Sequence, residues 1–298
     1  MSRRRTAEDI AEAVGASFER CSDARLKAVM QALVRHLHAF AQEVRLTPAE
    51  WARAIEALSA SGALTDENRN EFVLWSDALG LSMAVDALDD TRHPSATEST
   101  VEGPFRAPGS PERPYGASIS EQPGGTPMWM FGRVLSVDAQ PVAGAELDVW
   151  QNSPNQLYAV QDPAAPDHHL RGRFHTRTDG SYAFIAVRPT PYPIPDDGPV
   201  GVMLRATGRH PWRPAHIHVA VSALGYRPVV THVFDADSDY LDSDAVFAVK
   251  PALVKAFRTR DPDDPERPQA VSGPWVSVEM DFVLDVADAE GRRRPDPE

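Results

Sequence analysis

Apolar positions in the first ninety residues recur every three or four residues, which is the spacing of amphipathic helices. In the segment 24–40 the apolar side chains that share one helical face are Leu26, Met30, Leu33, Leu37 and Phe40. Asp23 precedes this segment and predicts an N-cap. A second helix is predicted over 47–62, where Thr47 and Glu50 match a capping box and Gly62 marks the end. A third is predicted from about residue 65 through NEFVLWSDALGLSMAVDAL.

The pattern changes after a Pro-rich connection at 89–116. In AELDVW the apolar Ala145, Leu147 and Val149 alternate with acidic residues, which is typical of a strand with one buried face. RGRFHTRTDGSYAFIAV predicts a hairpin that turns at Asp179–Gly180. Further strands are predicted in MWMFGRVLSV, RPAHIHVAV, YRPVVTHVFDA and WVSVEMDFVLDV. We therefore expect a mostly β protein with a helical N-terminal domain (1–95), a β-sandwich domain (96–288) and a flexible tail (289–298).

Composition excludes several classes of function. The 298 residues carry 30 Lys and Arg against 43 Asp and Glu, a net charge of −13, which argues against binding to nucleic acid or anionic membranes. Cys21 is the only cysteine, so neither an internal disulfide nor a multi-thiolate metal site is expected. No apolar run follows the basic N-terminus or approaches the length of a membrane span, so we expect a soluble, cytoplasmic protein.

The segment RPAHIHVAV contains two histidines one residue apart. If it is a strand, His216 and His218 leave the same face, whereas Ile217, Val219 and Val221 point into the core. The pair predicts either metal ligands or partly buried polar residues. Two imidazoles do not complete a metal site, and no neighbouring strand offers an obvious carboxylate.

Two tyrosines upstream stand in unusual surroundings. Tyr158 lies in QLYAVQDP, where a strand gives way to a loop, and Tyr192 lies in RPTPYPIPDDGPVG. Pro191 and Pro193 hold the backbone of Tyr192 extended, as a precisely placed ligand or a packed surface tyrosine would require. The residues alone leave open a metal site with tyrosines, a zinc or copper hydrolase using the histidines, and a sandwich binding module without catalysis.

Over residues 70–255 the sequence resembles the intradiol ring-cleavage dioxygenases, which are non-haem iron enzymes that open catechol-type rings. The resemblance is carried by SDALGLSMAVDAL, ATESTVEGPF, GRVLSVDAQPVAGAELDVWQ, LYAVQDP, LRGRFHTRTDGSYAF, RPTPYPIPDDGPVG, RHPWRPAHIHVAVSALGYRP and THVFDADSDYLDSDAVFAVK. Within these segments Tyr158, Tyr192 and the H-x-H pair follow one another in this order.

The resemblance implies one Fe(III) per subunit, bound by a solvent hydroxide and by Tyr158, Tyr192, His216 and His218. It implies that an aromatic diol reacts with O₂ and is opened between its two hydroxylated carbons to a cis,cis-muconate. Tyr192 is displaced by the substrate in this scheme and takes up a proton. The resemblance also implies that Arg213 stabilises negative charge on the ring, so that Arg213 and Tyr192 are the catalytic residues.

A second group of residues is expected to determine which diol the enzyme prefers. The wording of the matching segments favours hydroxyquinol, with 3-hydroxy-cis,cis-muconate or maleylacetate as product, and catechol or chlorocatechol as the alternative. The predicted substrate-binding residues are Met83, Asp86, Pro104 and His232. Asp86 can accept a hydrogen bond from the additional hydroxyl of hydroxyquinol. Glu102 stands where leucine is expected in hydroxyquinol enzymes, which keeps catechol open.

The remaining expectations concern histidines and assembly. His232 stands where many relatives carry glutamine, and a structural role is as plausible as a substrate contact. His168 and His169 are adjacent, so their side chains diverge, and a solvated loop is favoured over metal ligation. The resemblance implies a homodimer through the N-terminal helices, with lipid as a possible ligand at the interface. The apolar stripe of residues 26–40 fits this interface, although an intrachain core predicts the same pattern.

Overall fold

The computed structural model describes residues 5–66 and 69–287, and the chain divides after Ala60 into two compact units. The α-helices of these residues are α1 (Ala7–Ser17), α2 (Ala24–Glu43), α3 (Pro48–Leu64), α4 (Glu71–Ala78), α5 (Leu81–Asp89) and α6 (Pro199–Ala206). The strands are β1 (Pro127–Ser136), β2 (Glu146–Trp150), β3 (Arg171–His175), β4 (Ser181–Val187), β5 (Tyr192–Pro193), β6 (Trp212–Arg213), β7 (His216–Ser222), β8 (Val229–Asp235), β9 (Val254–Lys255), β10 (Arg258–Arg260), β11 (Trp275–Glu279) and β12 (Phe282–Leu284). Short 3₁₀ turns occupy Phe18–Arg20 and Pro251–Leu253.

Side-chain caps begin the second and third helices where the sequence predicts them. The carboxylate of Asp23 accepts the backbone N–H of Leu26 at 2.9 Å at the start of α2. At the start of α3, the Glu50 carboxylate accepts the backbone N–H of Thr47 at 2.8 Å, and the Thr47 hydroxyl accepts that of Glu50 at 3.3 Å. These bonds satisfy donors that a helix N-terminus leaves free. Helix α3 continues two residues past Gly62.

The prediction of one long third helix is wrong, because the segment forms the two helices α4 and α5. Gly80 separates them with a φ of 75°, a left-handed conformation that a helix interior does not accept. The ring of Phe247 lies 3.4 Å from the position that a Cβ on Gly80 would take. Backbone conformation and close packing therefore both favour glycine at this break. Both helices belong to the second compact unit, and the proposed domain limit at residue 95 stays a prediction.

The sandwich consists of two sheets that face each other across one apolar core. One sheet has the order β10-β11-β1-β12, with β4 also paired to β1, and the other has the order β3-β2-β7-β8-β9. Inward-facing side chains of both sheets meet in the core, including Met128, Met130, Leu147, Ile217 and Val219. The fold class predicted from the sequence, a helical N-terminal part followed by a mostly β part, is confirmed.

The predicted hairpin at Asp179–Gly180 is wrong in its pairing. The two flanking strands exist, but β3 pairs with β2 and β4 pairs with β1, so the turn passes from one sheet to the other. Phe174 and Phe184 stack across the core with their ring centroids 5.1 Å apart. Burial of these rings between the sheets competes with pairing of the two strands. Gly180, with a φ of 76°, still makes the tight turn that the sequence indicates.

Two short elements complete the sandwich near the histidine strand. β5 pairs with β6, which sets Tyr192 opposite Arg213. Helix α6, which the sequence analysis did not predict, follows the proline segment. Within the residues described, no helix has the length and apolarity needed to span a bilayer. The predicted flexible tail, 289–298, lies outside the described residues.

Candidate metal centre and active site

Two phenol oxygens and two imidazole nitrogens meet at one buried point. The Oη atom of Tyr158 lies 3.3 Å from Oη of Tyr192 and 3.1 Å from Nε2 of His218. It lies 3.5 Å from Nε2 of His216, and the two imidazole Nε2 atoms are 3.2 Å apart. All four side chains are buried. The structure thus brings together the four residues that the sequence analysis singled out as ligands.

Strand register places the histidines. In β7, His216 and His218 share one face, while Ile217, Val219 and Val221 are buried in the core on the other. These assignments confirm the alternation that the sequence predicts. The pairing of β7 with β8 sets His218 opposite His232, so a third imidazole joins the same face. One nitrogen of each of the three rings lies within 4.8 Å of the others.

The protonation of the histidines suits metal binding. Nδ1 of His216 lies 2.7 Å from the carbonyl oxygen of Pro214, which only accepts, so Nδ1 carries the proton and Nε2 presents a lone pair to the cluster. Burial, reinforced by the positive charge of Arg213, lowers the pKa of His216 and of His218 well below the usual range. Both rings are therefore neutral at neutral pH, the form that coordinates metals.

The spacing of the four donors fits one ion. Four ligands at about 2.0–2.1 Å from a metal in tetrahedral geometry lie about 3.3 Å from one another. The three separations from Oη of Tyr158 and the one between the two imidazoles are 3.1–3.5 Å. Burial and the neighbouring phenol of Tyr192 raise the pKa of Tyr158 well above its ordinary value. A bound cation reverses this preference, because it stabilises the phenolate. The donor distances and the chemistry of the phenols are therefore those of a metal-binding site.

Aromatic rings pack behind the donors and fix their orientation. The ring of Phe105 stacks on that of Tyr158 with centroids 4.7 Å apart, and the ring of Trp150 stacks on that of His218 at 4.8 Å and 13°. Gly103 has a φ of 73°, and a Cβ added there would lie 3.3 Å from Cε1 of His218. The loop before Phe105 thus forms one wall of the centre.

A permanent cation lies beside the donors. Nη1 of Arg213 is 3.4 Å from Oη of Tyr192 and 3.3 Å from Nε2 of His216. Nη2 of Arg213 is 3.5 Å from Nε2 of His232. A guanidinium only donates, so this contact favours a lone pair on Nε2 and a proton on Nδ1, which donates to the hydroxyl of Thr100. Burial and the neighbouring imidazoles lower the pKa of His232 well below its usual range, so this ring is also neutral.

Comparison with known protein families identifies the family of this chain. A family model described as Catechol dioxygenase N terminus matches residues 23–97, and one described as Dioxygenase matches residues 102–285. The second match covers more than half of the sequence. The chain belongs to the intradiol ring-cleavage dioxygenases. It is an enzyme that opens a diol ring with O₂, as the resemblance implied.

Individual relatives extend this likeness along nearly the whole dioxygenase. Hydroxyquinol 1,2-dioxygenase of Rhizobium sp. (strain MTP-10005) is 47% identical over 281 residues, which cover 93% of this chain and 95% of that protein. The 6-chlorohydroxyquinol 1,2-dioxygenase of Cupriavidus pinatubonensis (strain JMP 134 / LMG 1197) is 47% identical over 246 residues, covering 83% and 89%. The crystal structure of hydroxyquinol 1,2-dioxygenase from Pseudomonas putida DLL-E4 superposes with a TM-score of 0.89 at 45% identity, covering 94% and 98%.

The residues predicted to bind substrate in this dioxygenase lie in different surroundings. Met83 is buried in the main core, whereas the two tyrosines belong to a separate aromatic cluster. Asp86 forms an ion pair with Lys250, whose Nζ lies 2.9 Å from the carboxylate and 2.7 Å from the carbonyl oxygen of Ser99. Pro104 is exposed, between Gly103 at His218 and Phe105 at Tyr158.

Three further side chains whose roles the sequence left open lie outside the donor cluster. Glu102 is exposed and pairs with Arg106 at 3.2 Å. His169 is buried, and its Nδ1 accepts the backbone N–H of Glu121 at 3.0 Å. The prediction of a solvated loop is therefore wrong for His169, because its ring satisfies a backbone donor in the interior. His168 is half-buried.

Sequence reasoning missed several residues of the dioxygenase centre, namely Thr100, Phe105, Trp150 and Asp244. All four lie in segments that carry the family resemblance, and this is the signal that marks them; the segments are ATESTVEGPF, GRVLSVDAQPVAGAELDVWQ and THVFDADSDYLDSDAVFAVK. For Trp150, the pairing of β2 with β7 sets it opposite His218, a register that the sequence alone does not reveal.

Proposed function

We propose that this dioxygenase cleaves hydroxyquinol between two adjacent hydroxylated carbons, giving 3-hydroxy-cis,cis-muconate or maleylacetate. One Fe(III) per subunit is held by Tyr158, Tyr192, His216 and His218. The observation that carries the proposal is that Oη of Tyr158 lies within 3.5 Å of the Tyr192 oxygen and of Nε2 of both neutral imidazoles, which are themselves 3.2 Å apart.

The donor set favours Fe(III) over other ions. Phenolate oxygens are hard, anionic donors, and two of them with two imidazoles leave a trivalent ion with a small positive charge. The three histidines alone would also suit zinc. Oη of Tyr158 lies 3.1 Å from Nε2 of His218 and 3.5 Å from Nε2 of His216, so a phenol belongs to the same donor set and favours the harder ion. When bound, Fe(III) supplies a Lewis acid that takes both oxygens of the diol and makes the ring reactive toward O₂.

The protein's own residues manage protons and charge. Tyr192 accepts a proton from the incoming diol, and Arg213 is 3.4 Å from its oxygen, in a position to stabilise the negative charge that develops on the bound ring. Tyr158 stays in place because Phe105 stacks on its ring. The lone pair on Nε2 of His232 accepts a hydrogen bond from a substrate hydroxyl or from water.

Substrate preference is the finer part of the proposal. The similarity to enzymes named for hydroxyquinol and 6-chlorohydroxyquinol supports a trihydroxylated ring. Met83, Asp86 and Pro104 line the ring pocket in this proposal. The ion pair with Lys250 holds the Asp86 carboxylate in place, and its oxygens can accept a hydrogen bond from the additional hydroxyl. Catechol or chlorocatechol is the alternative substrate. Glu102 supports this alternative, because it stands where leucine is expected in hydroxyquinol enzymes.

Assembly follows from the helical part. Five apolar side chains along α2 and that of its C-cap residue are each 43–55% exposed in the single chain, and they are Leu26, Val29, Leu33, Leu37, Phe40 and Val44. Such a stripe is typical of a helix that buries its face against another chain. We propose a homodimer through the N-terminal domain (1–95), with lipid as a possible ligand at this interface and the β-sandwich domain (96–288) as the catalytic part. We also propose a cytoplasmic location.

The test is a side-by-side assay of ring cleavage with hydroxyquinol, catechol and chlorocatechols on protein loaded with Fe(III). We expect the highest kcat/KM with hydroxyquinol, O₂ consumed in equal amount to substrate, and a muconate as product. A preference for catechol would move the assignment to the alternative substrate. Absence of ring cleavage with every diol by fully loaded protein would refute the proposed function.

A further inference from the structure

Behind the centre, the cation of Arg213 is paired with a buried carboxylate. Nε of Arg213 lies 3.1 Å from Oδ1 of Asp244, and Nη2 lies 3.4 Å from Oδ2. The two side chains are 4% and 2% exposed. Removing both charges from water costs free energy, so a buried ion pair of this kind contributes little to folding stability. Its presence therefore requires a reason other than stability.

The Asp244 carboxylate is itself fixed by its own loop. Its oxygens accept the backbone N–H groups of Val246 at 3.3 Å and Ala248 at 3.0 Å. Between these residues, Phe247 has a φ of 60°, which is rare for an aromatic side chain. A carboxylate that accepts from two backbone donors and from both prongs of a guanidinium has little freedom to move. The loop therefore holds the anion, and the anion holds Arg213.

The other side of the same guanidinium faces the reacting groups. Its Nη1 points between the Tyr192 oxygen and Nε2 of His216, and its Nη2 faces His232. The pairing of β5 with β6 fixes the backbone of Tyr192 opposite that of Arg213. The side chain of arginine has several rotatable bonds, so backbone pairing alone does not aim the guanidinium.

We propose that Asp244 is a positioning residue of the ring-cleavage reaction. It acts through Arg213, by holding Nη1 beside the phenol oxygen that is exchanged for substrate, and it has no contact of its own with the four donors. This inference rests on the proposed function of the centre. The Asp244 carboxylate also balances the positive charge of the Arg213 guanidinium, so that this buried cation can persist next to a metal site. A cation that is already oriented stabilises developing charge without reorganising.

The test compares Asp244→Asn with a matched control, Asp235→Asn, in protein loaded with Fe(III). Asp235 is also a buried aspartate that pairs with an arginine, since its carboxylate lies 2.6 Å from Nε of Arg188 and accepts the backbone N–H of Asp237 at 3.0 Å. We expect both variants to lose thermal stability. For Asp244→Asn we expect kcat to fall about 100-fold with little change in KM. We also expect its phenolate-to-iron absorption band to shift, with kcat and band unchanged in Asp235→Asn.

A double-mutant comparison separates positioning from a general structural effect. In Arg213→Gln protein, Asp244→Asn should cause no further loss of kcat, because the group that it positions is already absent. Equal effects of the two Asp→Asn changes on kcat and on the absorption band, or a full second loss of kcat in the Arg213→Gln background, would overturn the inference.

If Asp244→Asn does not fold, Asp244→Glu replaces it, and we expect this variant to bind iron with a reduced kcat and a shifted absorption band. Wild-type kcat and band in that variant would overturn the inference. Wild-type protein that lacks the band and ring cleavage would refute the proposed function instead.

Discussion

Alanine at Gly103 should weaken metal binding by displacing one ligand. Gly103 has a φ of 73°, so any side chain costs about 1 kcal/mol in this left-handed conformation. The new Cβ would also lie 3.3 Å from Cε1 of His218, closer than the usual 3.5–4.0 Å between carbon atoms, so the ring must shift by a few tenths of an ångström. Metal bonds tolerate deviations of only about 0.2 Å.

We therefore expect Gly103→Ala to lower the affinity for Fe(III) about 10-fold, at the lower end of what changes around metal ligands cause. The assay is competition with a chelator, followed through the absorption band of the bound iron. Gly109→Ala is the matched control, because Gly109 has a φ of 80° and no atom lies within 4 Å of the added Cβ. Both variants should lose about 1 kcal/mol of folding stability, or about 2–4 °C in Tm.

The two glycine variants should therefore differ in iron affinity and agree in stability. Equal iron affinity in Gly103→Ala and Gly109→Ala would refute the reasoning, because it would mean that this loop does not fix His218. A loss of affinity in both variants would show that global destabilisation, and not the displaced ring, reduces binding.

Three further outcomes follow from the structure. Because burial raises the pKa of Tyr158 while the histidines are neutral, binding of Fe(III) should release at least one proton, that of the Tyr158 phenol, and affinity should fall as pH falls. Calorimetry in buffers of different ionisation enthalpy measures this number, and release of no proton would exclude phenolate ligands. Gly180→Ala should cost about 2–4 kcal/mol in stability, since its Cβ would lie 2.7 Å from the carbonyl oxygen of Val134, while absorbance per bound iron stays constant. Asp86→Asn should lower kcat/KM for hydroxyquinol about 10- to 100-fold relative to catechol, and an unchanged ratio would remove Asp86 from substrate recognition.

Local signals in the sequence predicted local structure well. The caps at Asp23 and Thr47 start helices because each side chain satisfies free N–H groups within its own turn. The H-x-H pattern of β7 predicts which side chains share a face, since alternation is a property of any strand. In both cases the information lies within a few residues.

Errors arose where distant segments decide the outcome. Asp179–Gly180 is a good turn, but burial of Phe174 and Phe184 between the sheets sends its two strands to different partners. The break at Gly80 is a compact turn that the helical periodicity on both sides conceals.

In the candidate centre, too, local features could be predicted and features that depend on distant segments could not. Its donor residues could be named from motifs, but their convergence came from a family resemblance and not from spacing. Asp244 lies in the matching segment THVFDADSDYLDSDAVFAVK, but its pairing with Arg213 could not be predicted, because the two are 31 residues apart and only the fold brings them together. Phe105 and Trp150 look like ordinary core residues in the sequence, and their roles depend on the side chains against which they stack.

The most direct test of the centre is resonance Raman spectroscopy of the Fe(III)-loaded protein, excited within its visible absorption band. We predict tyrosinate vibrations in the wild-type protein, a weakened set in Tyr192→Phe and in Tyr158→Phe, and none in the double variant. Tight binding of Fe(III) without tyrosinate vibrations, or an unchanged spectrum in the double variant, would contradict the claim that these two phenolates bind the metal.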